Sequence, residues 1–248
     1  MSIKLSIIAL GISLAYGATA AMAANTATVN QTGMQNVATI EQFANDDTSA
    51  TITAFGSYND ASINQQGNDS VAATITAFGN LNDAVVVQTN VENSTATVFQ
   101  AGDAGDATIT QTGGHGGHPY YRGGGYGGHN GHGDGDNQQA TINQYWGWGN
   151  VAWITQTGDD VDALINQSGF RNKAGIVQDG SGRDDLTASI TQQGMLNDGY
   201  IKQDGYNLVA TVNQSGSMNE AVILQKGSGY TASVTQVGFA NSAYVNQR

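Results

Sequence analysis

The stretch ATVNQSGSMNEAVILQ, residues 210–225, contains the pattern that decides the fold. It holds two segments of the form Ala-x-Ile/Val-x-Gln, and the turn between them reads Gln-x-Gly-x-x-Asn. A nearly identical string, ATVNQTGMQNVATIEQ, occupies residues 27–42. Alternation of this kind, with a β-branched residue at the centre, is typical of a short strand with one buried face. The stretch therefore predicts two strands joined by a turn, and its recurrence indicates a repeat.

The Ala-x-Ile/Val-x-Gln segment occurs eighteen times along the chain. Its first residue is Ala except at Gly199, its third is always Ile or Val, and its fifth is Gln except at Ala54 and Ala77. The segments begin at residues 27, 38, 50, 61, 73, 84, 96, 107, 140, 152, 163, 174, 188, 199, 210, 221, 232 and 243. This spacing predicts eighteen strands, each of about five residues or roughly 17 Å.

Two kinds of turn alternate between these segments. A strict turn, Gln-x-Gly-x-x-Asn, follows the odd-numbered segments, and a loose, often acidic turn follows the even-numbered ones, as in FANDDTS (43–49). The resulting unit of two strands is too short to bury its own apolar face, so neighbouring units must stack. The predicted fold is all-β: a two-sheet parallel β-solenoid of nine rungs and eighteen short strands, with one Gly/His-rich loop insertion.

Gln at an inward position requires a hydrogen-bond partner, because an unpaired buried amide costs about 1–3 kcal/mol. A Gln stacked on the same Gln of the next rung provides one and forms a ladder. We expect the Asn of the strict turn to stack likewise, and the Gly to supply a positive φ. The structural ladder and turn residues assigned on this basis are Gln31, Gly33, Asn36, Gln42, Gln167, Gly169, Asn172, Gln178, Gln192, Gly194, Asn197, Gln203, Gln214, Gly216, Asn219, Gln225, Gln236, Gly238, Asn241 and Gln247.

The chain divides into four parts. Residues 1–23 have the positive start, short apolar run and small-x-small end of a secretory signal peptide, too short for a permanent membrane span. Rungs 1–4 are assigned to residues 24–113, a Gly/His-rich loop insertion to residues 114–136, and rungs 5–9 to residues 137–248. We therefore expect an exported protein with no membrane span.

Composition excludes several classes of function. The formal net charge of −12 argues against nucleic acid as a partner, since binding it requires clustered Lys and Arg. The chain has no Cys, so no disulfide stabilises it. No acid–base pair or nucleophile motif is evident, so we expect neither enzymatic activity nor a cofactor.

The only metal-ligand candidates are the four His of the insertion: His115, His118, His129 and His132. Two His-x-x-His pairs can offer four imidazoles to Zn, Cu or Ni. The alternative is a solvated Gly-rich loop with no preformed site. Both interpretations remain open at this point.

The pattern Gln-x-Gly-x-x-Asn-x-Ala-x-x-x-Gln resembles the curlin repeat of curli, the extracellular functional amyloid of Gram-negative biofilms. Gln214, Gly216, Asn219, Ala221 and Gln225 match it position by position. The resemblance implies a self-assembling homopolymer fibre at the cell surface, supporting biofilm matrix, adhesion and aggregation. It also implies export through a curli-type outer-membrane secretion pore with chaperones, and a homologous nucleator or major subunit as partner. Both subunit roles, major and nucleator, stay open.

The sequence departs from the repeat at a few positions. Ala54 and Ala77 replace Gln, Gly105 stands where Asn is expected, and rung 5 has an extra residue in QYWGWGN (144–150).

The outward positions of the odd-numbered segments are rich in Thr, Ser and Asn. An array of this kind on a solenoid also resembles some ice-binding proteins, so an ice-binding β-solenoid that uses this Thr/Ser face is the alternative from another class.

Overall fold

A computed structural model describes residues 25–113, 137–180 and 185–248 of the chain. The predicted signal peptide and the insertion with its four His lie outside the described residues. The described residues form eighteen strands and no helix, so none of their elements is a helix that could cross a membrane.

The strands form two nine-stranded sheets, with odd-numbered strands in one and even-numbered strands in the other. The first sheet contains β1 (Thr26–Met34), β3 (Ser49–Ser57), β5 (Ala72–Asn80), β7 (Thr95–Asp103), β9 (Gln139–Trp148), β11 (Val161–Phe170), β13 (Leu186–Met195), β15 (Leu208–Ser217) and β17 (Thr231–Phe239). The second sheet contains β2 (Val37–Phe43), β4 (Asp60–Gln66), β6 (Asp83–Thr89), β8 (Asp106–Thr112), β10 (Val151–Thr157), β12 (Lys173–Gly180), β14 (Asp198–Tyr206), β16 (Glu220–Ser228) and β18 (Ser242–Gln247).

Neighbouring strands in each sheet are parallel and in register, so equivalent residues of successive rungs stack. In the first sheet Ala188 pairs with Ala210 and Gln192 with Gln214. In the second sheet Ile201 pairs with Ile223. Each rung is one odd and one even strand, and the predicted two-sheet parallel β-solenoid is confirmed.

The core lies between the two sheets and consists of the Ala and Ile/Val columns of both. Ile63, Ile142 and Ile176 are fully buried in it. Only the outermost rungs differ: Val29 and Val245 are partly buried, because each has a neighbouring rung on one side alone. Within the part of the chain that the structure describes, the core is therefore covered along the length of the column and exposed at its two ends.

The strands are longer than the predicted five residues. The first-sheet strand β15, for example, has ten residues and continues through Gly216. Gly216 has a φ of 119° yet keeps its register pairing with Gly238. The prediction ended each strand at Gln because a Gly after it suggested a turn, whereas β15 continues for three residues past Gln214.

A second, smaller apolar cluster lies inside the loose-turn side of rungs 6–9. It contains Val161, Leu186 and Leu208, all fully buried, with Tyr230 packed against them. Each of these residues stands two positions before the first Ala of its rung. The repeat was aligned on that Ala, so this inward column was missed, although its period-two parity was visible.

The extra residue of rung 5 forms a bulge. The register of β9 shifts relative to β7 between Ala101 and Asp103, and relative to β11 between Ser168 and Gly169. Trp146 takes a left-handed conformation there and is 83% exposed. The bulge therefore accommodates the added residue locally, and the rungs on both sides stay in register.

Candidate functional site

The second sheet contains a Gln ladder that runs through all nine rungs. Each Gln donates from Nε2 to Oε1 of the Gln in the next rung, over distances of 2.7–3.1 Å. Its members are Gln42, Gln65, Gln88, Gln111, Gln156, Gln178, Gln203, Gln225 and Gln247. Nε2 also donates to a carbonyl of the facing strand, as Gln203 does to Thr187 at 3.1 Å. The ladder therefore holds successive rungs together and ties the two sheets to each other.

The first sheet has an interrupted Gln ladder. Five hydrogen bonds of 2.8–3.1 Å join six Gln residues: Gln100, Gln144, Gln167, Gln192, Gln214 and Gln236. Gln31 is separated from them by the two rungs in which Ala replaces Gln. Gln31 Nε2 and Gln100 Oε1, the atoms that face those Ala residues, are buried without a hydrogen-bond partner. The two substitutions thus leave one orphaned amide group on each side of the gap.

The Asn residues of the strict turns form a third ladder with its own geometry. Asn219 donates from its backbone N–H and from Nδ2 to Oδ1 of Asn197, at 3.1 and 3.0 Å. Nδ2 of Asn219 also donates to the carbonyl of Gly238 in the following rung at 3.1 Å. One Asn therefore bridges three rungs. The same contacts link two series, Asn36, Asn59 and Asn82, then Asn150, Asn172, Asn197, Asn219 and Asn241.

A glycine column lies beside the Asn ladder. Gly33, Gly169, Gly194, Gly216 and Gly238 have φ values between 107° and 124°. At all of these positions except Gly238, the carbonyl of the Gly in the next rung also fills the space that a Cβ would occupy. The stacked positions therefore require Gly for both conformation and space.

The residue just before the ladder Asn also adopts a left-handed conformation, although it is not Gly. Leu196 has a φ of 56° and Met218 a φ of 58°. The large side chains of the strict turns point outward and form an exposed apolar edge, the strict-turn edge: Met34, Tyr58, Leu81, Trp148, Phe170, Met195, Leu196, Met218 and Phe239. Exposed apolar side chains that are grouped along one edge are typical of an association surface. Sequence reasoning missed it, because these positions were treated as variable spacers.

Gly105 breaks the Asn ladder in rung 4. Asn82 Oδ1 accepts only the backbone N–H of Gly105, at 3.0 Å, and no amide continues toward Asn150. A small cavity remains there, lined among others by Gln100 and Gln144. Among the described residues, the Asn ladder therefore contributes no hydrogen bond between rungs 4 and 5.

A row of aromatic side chains crosses the outer face of the first sheet where the Gln ladder is interrupted. The rings of Phe55 and Phe78 stack with centroids 5.1 Å apart and planes within 3°. Phe99 lies 6.0 Å from Phe78, and Tyr145 lies 5.6 Å from Phe99. Ring stacking contributes about 0.5–1.5 kcal/mol per pair. In these rungs an aromatic contact on the outer face therefore stands where the buried Gln–Gln hydrogen bond is missing. Phe99 also interrupts the row of outward Thr side chains.

Carboxylates stack as well. Asp60, Asp83 and Asp106 occupy equivalent positions of β4, β6 and β8. Burial raises the pKa of Asp83, and the neighbouring charges of Asp106 and Asp60 raise it further. At neutral pH the repulsion between the carboxylates of this acidic row opposes stacking of the rungs. The hydrogen bonds of the ladders must outweigh that repulsion.

Neither a metal centre nor a catalytic constellation emerges from these contacts. Within residues 25–113, 137–180 and 185–248 no group of three or more His, Asp or Glu side chains is placed to hold a metal ion. The candidate ligands His115, His118, His129 and His132 lie outside the described residues. The arrangement that the structure does assemble is a set of amide ladders, suited to stacking copies of one unit.

Comparison with known proteins agrees with this arrangement. No curated protein matches the chain. A family model described as the curlin associated repeat matches three overlapping stretches, residues 158–194, 184–216 and 207–238. These stretches contain the strict-turn Gly of rungs 6–9, namely Gly169, Gly194, Gly216 and Gly238. Residues 158–238 therefore contain the curlin associated repeat.

Proposed function

We propose that this chain is a structural subunit of an extracellular curli-type fibre, which grows by end-to-end stacking of folded solenoids. The proposal rests on the strands at the two ends of the column, which are unpaired on their outer sides among the described residues. In the sheet order β1 and β2 lie at one end and β17 and β18 at the other, and none of them has a partner strand on its outer side among the described residues. Open edges of this kind pair readily with another chain.

The two ends match each other in sequence as well as in shape. In rung 9 the inward residues of β17 are Ala232, Val234 and Gln236, and Gly238 follows. In β1 the equivalent residues are Ala27, Val29, Gln31 and Gly33. A copy of rung 1 laid on rung 9 therefore continues the Ala, Val, Gln and Gly columns in register.

Stacking also has a driving force. Ala27, Val29, Ala243 and Val245 are the inward apolar residues that remain partly exposed. Covering them removes apolar surface from water, at about 25 cal/mol per Å². It also supplies partners for the backbone N–H and C=O groups along the open edges. The curlin repeat and the β-solenoid are structural rather than enzymatic, and we propose that the chain has no catalytic role.

The remaining elements of the proposal rest on the family and the sequence. The signal peptide predicted at residues 1–23 and the curlin repeat support export through an outer-membrane pore with chaperones. They also support assembly with a homologous subunit, adhesion and a place in the biofilm matrix. Seeding separates the two subunit roles, since a nucleator accelerates fibre formation by a second curlin-repeat chain when present in trace amounts.

A polymerisation time course tests the proposal. The purified protein at micromolar concentration, followed by thioflavin fluorescence and sedimentation, should convert from monomer to pelletable thioflavin-positive fibres. Protein that stays monomeric for days under these conditions would contradict the proposed function.

A further inference from the structure

The strict-turn edge is apolar and almost uncharged, although the chain as a whole is acidic. Two residues stand between the Gly and the Asn of each strict turn, and among all of these only Asp103 and Arg171 are charged. The loose turns on the opposite edge contain Asp46, Asp69 and Asp160 among other carboxylates, and the formal net charge of the chain is −12. Two copies of the chain therefore repel one another least where their strict-turn edges meet.

The residues of this edge match each other about its middle rung. Rung 5 has four rungs on either side, so a second column laid antiparallel with rung 5 on rung 5 brings rung 1 to rung 9, rung 2 to rung 8 and rung 3 to rung 7. The residues that meet are 43–69% exposed in the single column and apolar on both sides. They are Met34 with Phe239, Tyr58 with Met218, Leu81 with Leu196, and Trp148 with its own counterpart.

The same arrangement pairs the two charges of the edge. Asp103 lies in rung 4 and Arg171 in rung 6, so each of them faces the rung that carries the opposite charge in the second copy. Both residues are exposed, and neither forms an ion pair among the described residues. The Arg171 Cζ lies 4.9 Å from the centroid of the Trp148 ring, which holds the guanidinium on this edge. Ala104 stands opposite Arg171 and leaves room for the guanidinium beside Asp103.

Parallel columns lack this match. With equal rungs opposed, Asp103 meets Asp103 and Arg171 meets Arg171, which places like charges against one another. With a stagger of two rungs, one ion pair forms, and one Asp103 and one Arg171 are left facing uncharged turns. Charge complementarity sets the register and the orientation of an interface more than its affinity. The antiparallel alignment about rung 5 is therefore favoured, because it pairs every charge of both edges.

We infer that columns associate side by side in antiparallel pairs, through their strict-turn edges and about a two-fold axis at rung 5. Such an interface is isologous, with the same surface contributed by both partners. The edge of one unit measures roughly 43 Å by about 10 Å, or about 430 Å², whereas a standard interface buries about 800 Å² per partner. Single units therefore pair weakly. The inference rests on the proposed function, because stacked units repeat the contact along the column and so strengthen it.

Charge reversal at the two positions tests the alignment. Asp103→Arg gives an edge with two positive charges, and Arg171→Asp gives an edge with two negative charges. In fibres of either variant the paired fraction of fibre length, measured by electron microscopy, should fall about ten-fold or more, because like charges then face one another.

Mixing preformed fibres of the two variants should restore pairing, and so should the Asp103→Arg/Arg171→Asp double variant. Each single substitution changes the formal net charge of −12 by only two units, so both kinds of fibre stay acidic. General attraction between oppositely charged fibres therefore does not explain pairing in the mixture.

Two neutral substitutions control for the turns themselves. Asp103 Oδ1 accepts the backbone N–H and Nδ2 of Asn80 at 2.8 and 3.1 Å. Asp103→Asn keeps this acceptor, since Asn80 holds the equivalent position one rung earlier and its Oδ1 accepts the N–H of Ser57 at 3.1 Å. Arg171→Gln places there the residue of the first strict turn, Gln35, whose φ is 55° against 52° at Arg171. The doubly neutral protein should form fibres as the wild type does and lose the preference for antiparallel pairing.

Cryo-electron microscopy of wild-type fibre pairs shows the relative direction of the two columns. Antiparallel columns joined at their strict-turn edges support the inference. Parallel columns, columns joined through another face, or pairing that survives both single charge reversals overturn it. Wild-type fibres that all remain single also overturn it and leave end-to-end growth intact. Protein that forms no fibres contradicts the proposed function and the inference with it.

Discussion

Gly194 lies directly against Gly216 of the next rung, and a Cβ on Gly194 would come 2.0 Å from the Gly216 carbonyl oxygen. The backbone at Gly194 also has a φ of 117°, a region that residues with a side chain rarely adopt. Gly194→Ala should therefore lower the free energy of unfolding by more than about 3 kcal/mol, since strain and overpacking add. Thermal or urea unfolding of freshly prepared monomer measures this loss.

Gly229→Ala is the matched control. Gly229 also has a positive φ, 71°, but no atom lies within 4 Å of an added Cβ. We expect a loss of only about 1–2 kcal/mol from the left-handed backbone. Equal losses at the two sites would show that close stacking of the Gly column does not matter.

Gln192 and Gln193 are neighbours in β13 with opposite environments. Gln192 is buried and bonded to both Gln167 and Gln214, whereas Gln193 is exposed. Gln192→Ala should cost about 2–5 kcal/mol, because two buried amide groups lose a partner and a cavity forms. Gln193→Ala should change stability by less than about 0.5 kcal/mol. Similar unfolding midpoints for the two proteins would contradict a stabilising role for the ladder.

Gly105→Asn should repair the interrupted Asn ladder. The new amide would lie between Asn82 and Asn150 and fill the cavity, once the end of the Gln144 side chain, whose Oε1 lies 2.6 Å from an added Cβ, moves aside. A gain of about 1 kcal/mol per hydrogen bond formed is expected. Gly105→Ala adds the Cβ without the amide and should bring no gain. Unfolding experiments on the two variants separate hydrogen bonding from cavity filling.

The acidic row of Asp60, Asp83 and Asp106 should make the stability of the protein depend on pH. Burial and the charges of Asp106 and Asp60 raise the pKa of Asp83 in the folded protein above its ordinary value of 3.8. The folded state thus holds the proton more tightly than the unfolded state, so the Asp83 contribution falls as pH rises from 3.8 through the raised pKa. Asp83→Asn should raise the unfolding midpoint at pH 7 and flatten its dependence over this window. If Asp83→Asn leaves the pH dependence of the unfolding midpoint unchanged, the charges of the acidic row do not destabilise the folded protein.

The period-two pattern and the alternation of turns were sufficient to predict the two sheets, nine rungs and parallel stacking, because identical residues at fixed spacing leave one register that buries them all. The departures at Ala54, Ala77 and Gly105 were visible, but their consequences were not. The unpaired Gln100 Oε1 and the cavity beside Gly105 depend on how the side chains of neighbouring rungs pack around the missing groups, which the repeat pattern does not specify.

Features outside the aligned segment were harder to foresee. The buried column of Val161, Leu186 and Leu208 lies on the loose-turn side, where variable sequence suggested only solvated loops. The stacking of Phe55 on Phe78 depends on side-chain placement across rungs rather than on local pattern. A longer window aligned on both turns would have found the first of these, and nothing in the local sequence indicates the second.

The central claim is that a fibre is one continuous column made of folded nine-rung units. Cryo-electron microscopy of the fibres tests it most directly, through the axial distance occupied by one chain. Stacked solenoids predict rungs about 4.8 Å apart and one chain for every nine rungs, roughly 43 Å along the axis. A fibre in which each chain occupies a single layer of about 4.8 Å, as in a stack of flat, extended chains, would contradict the account.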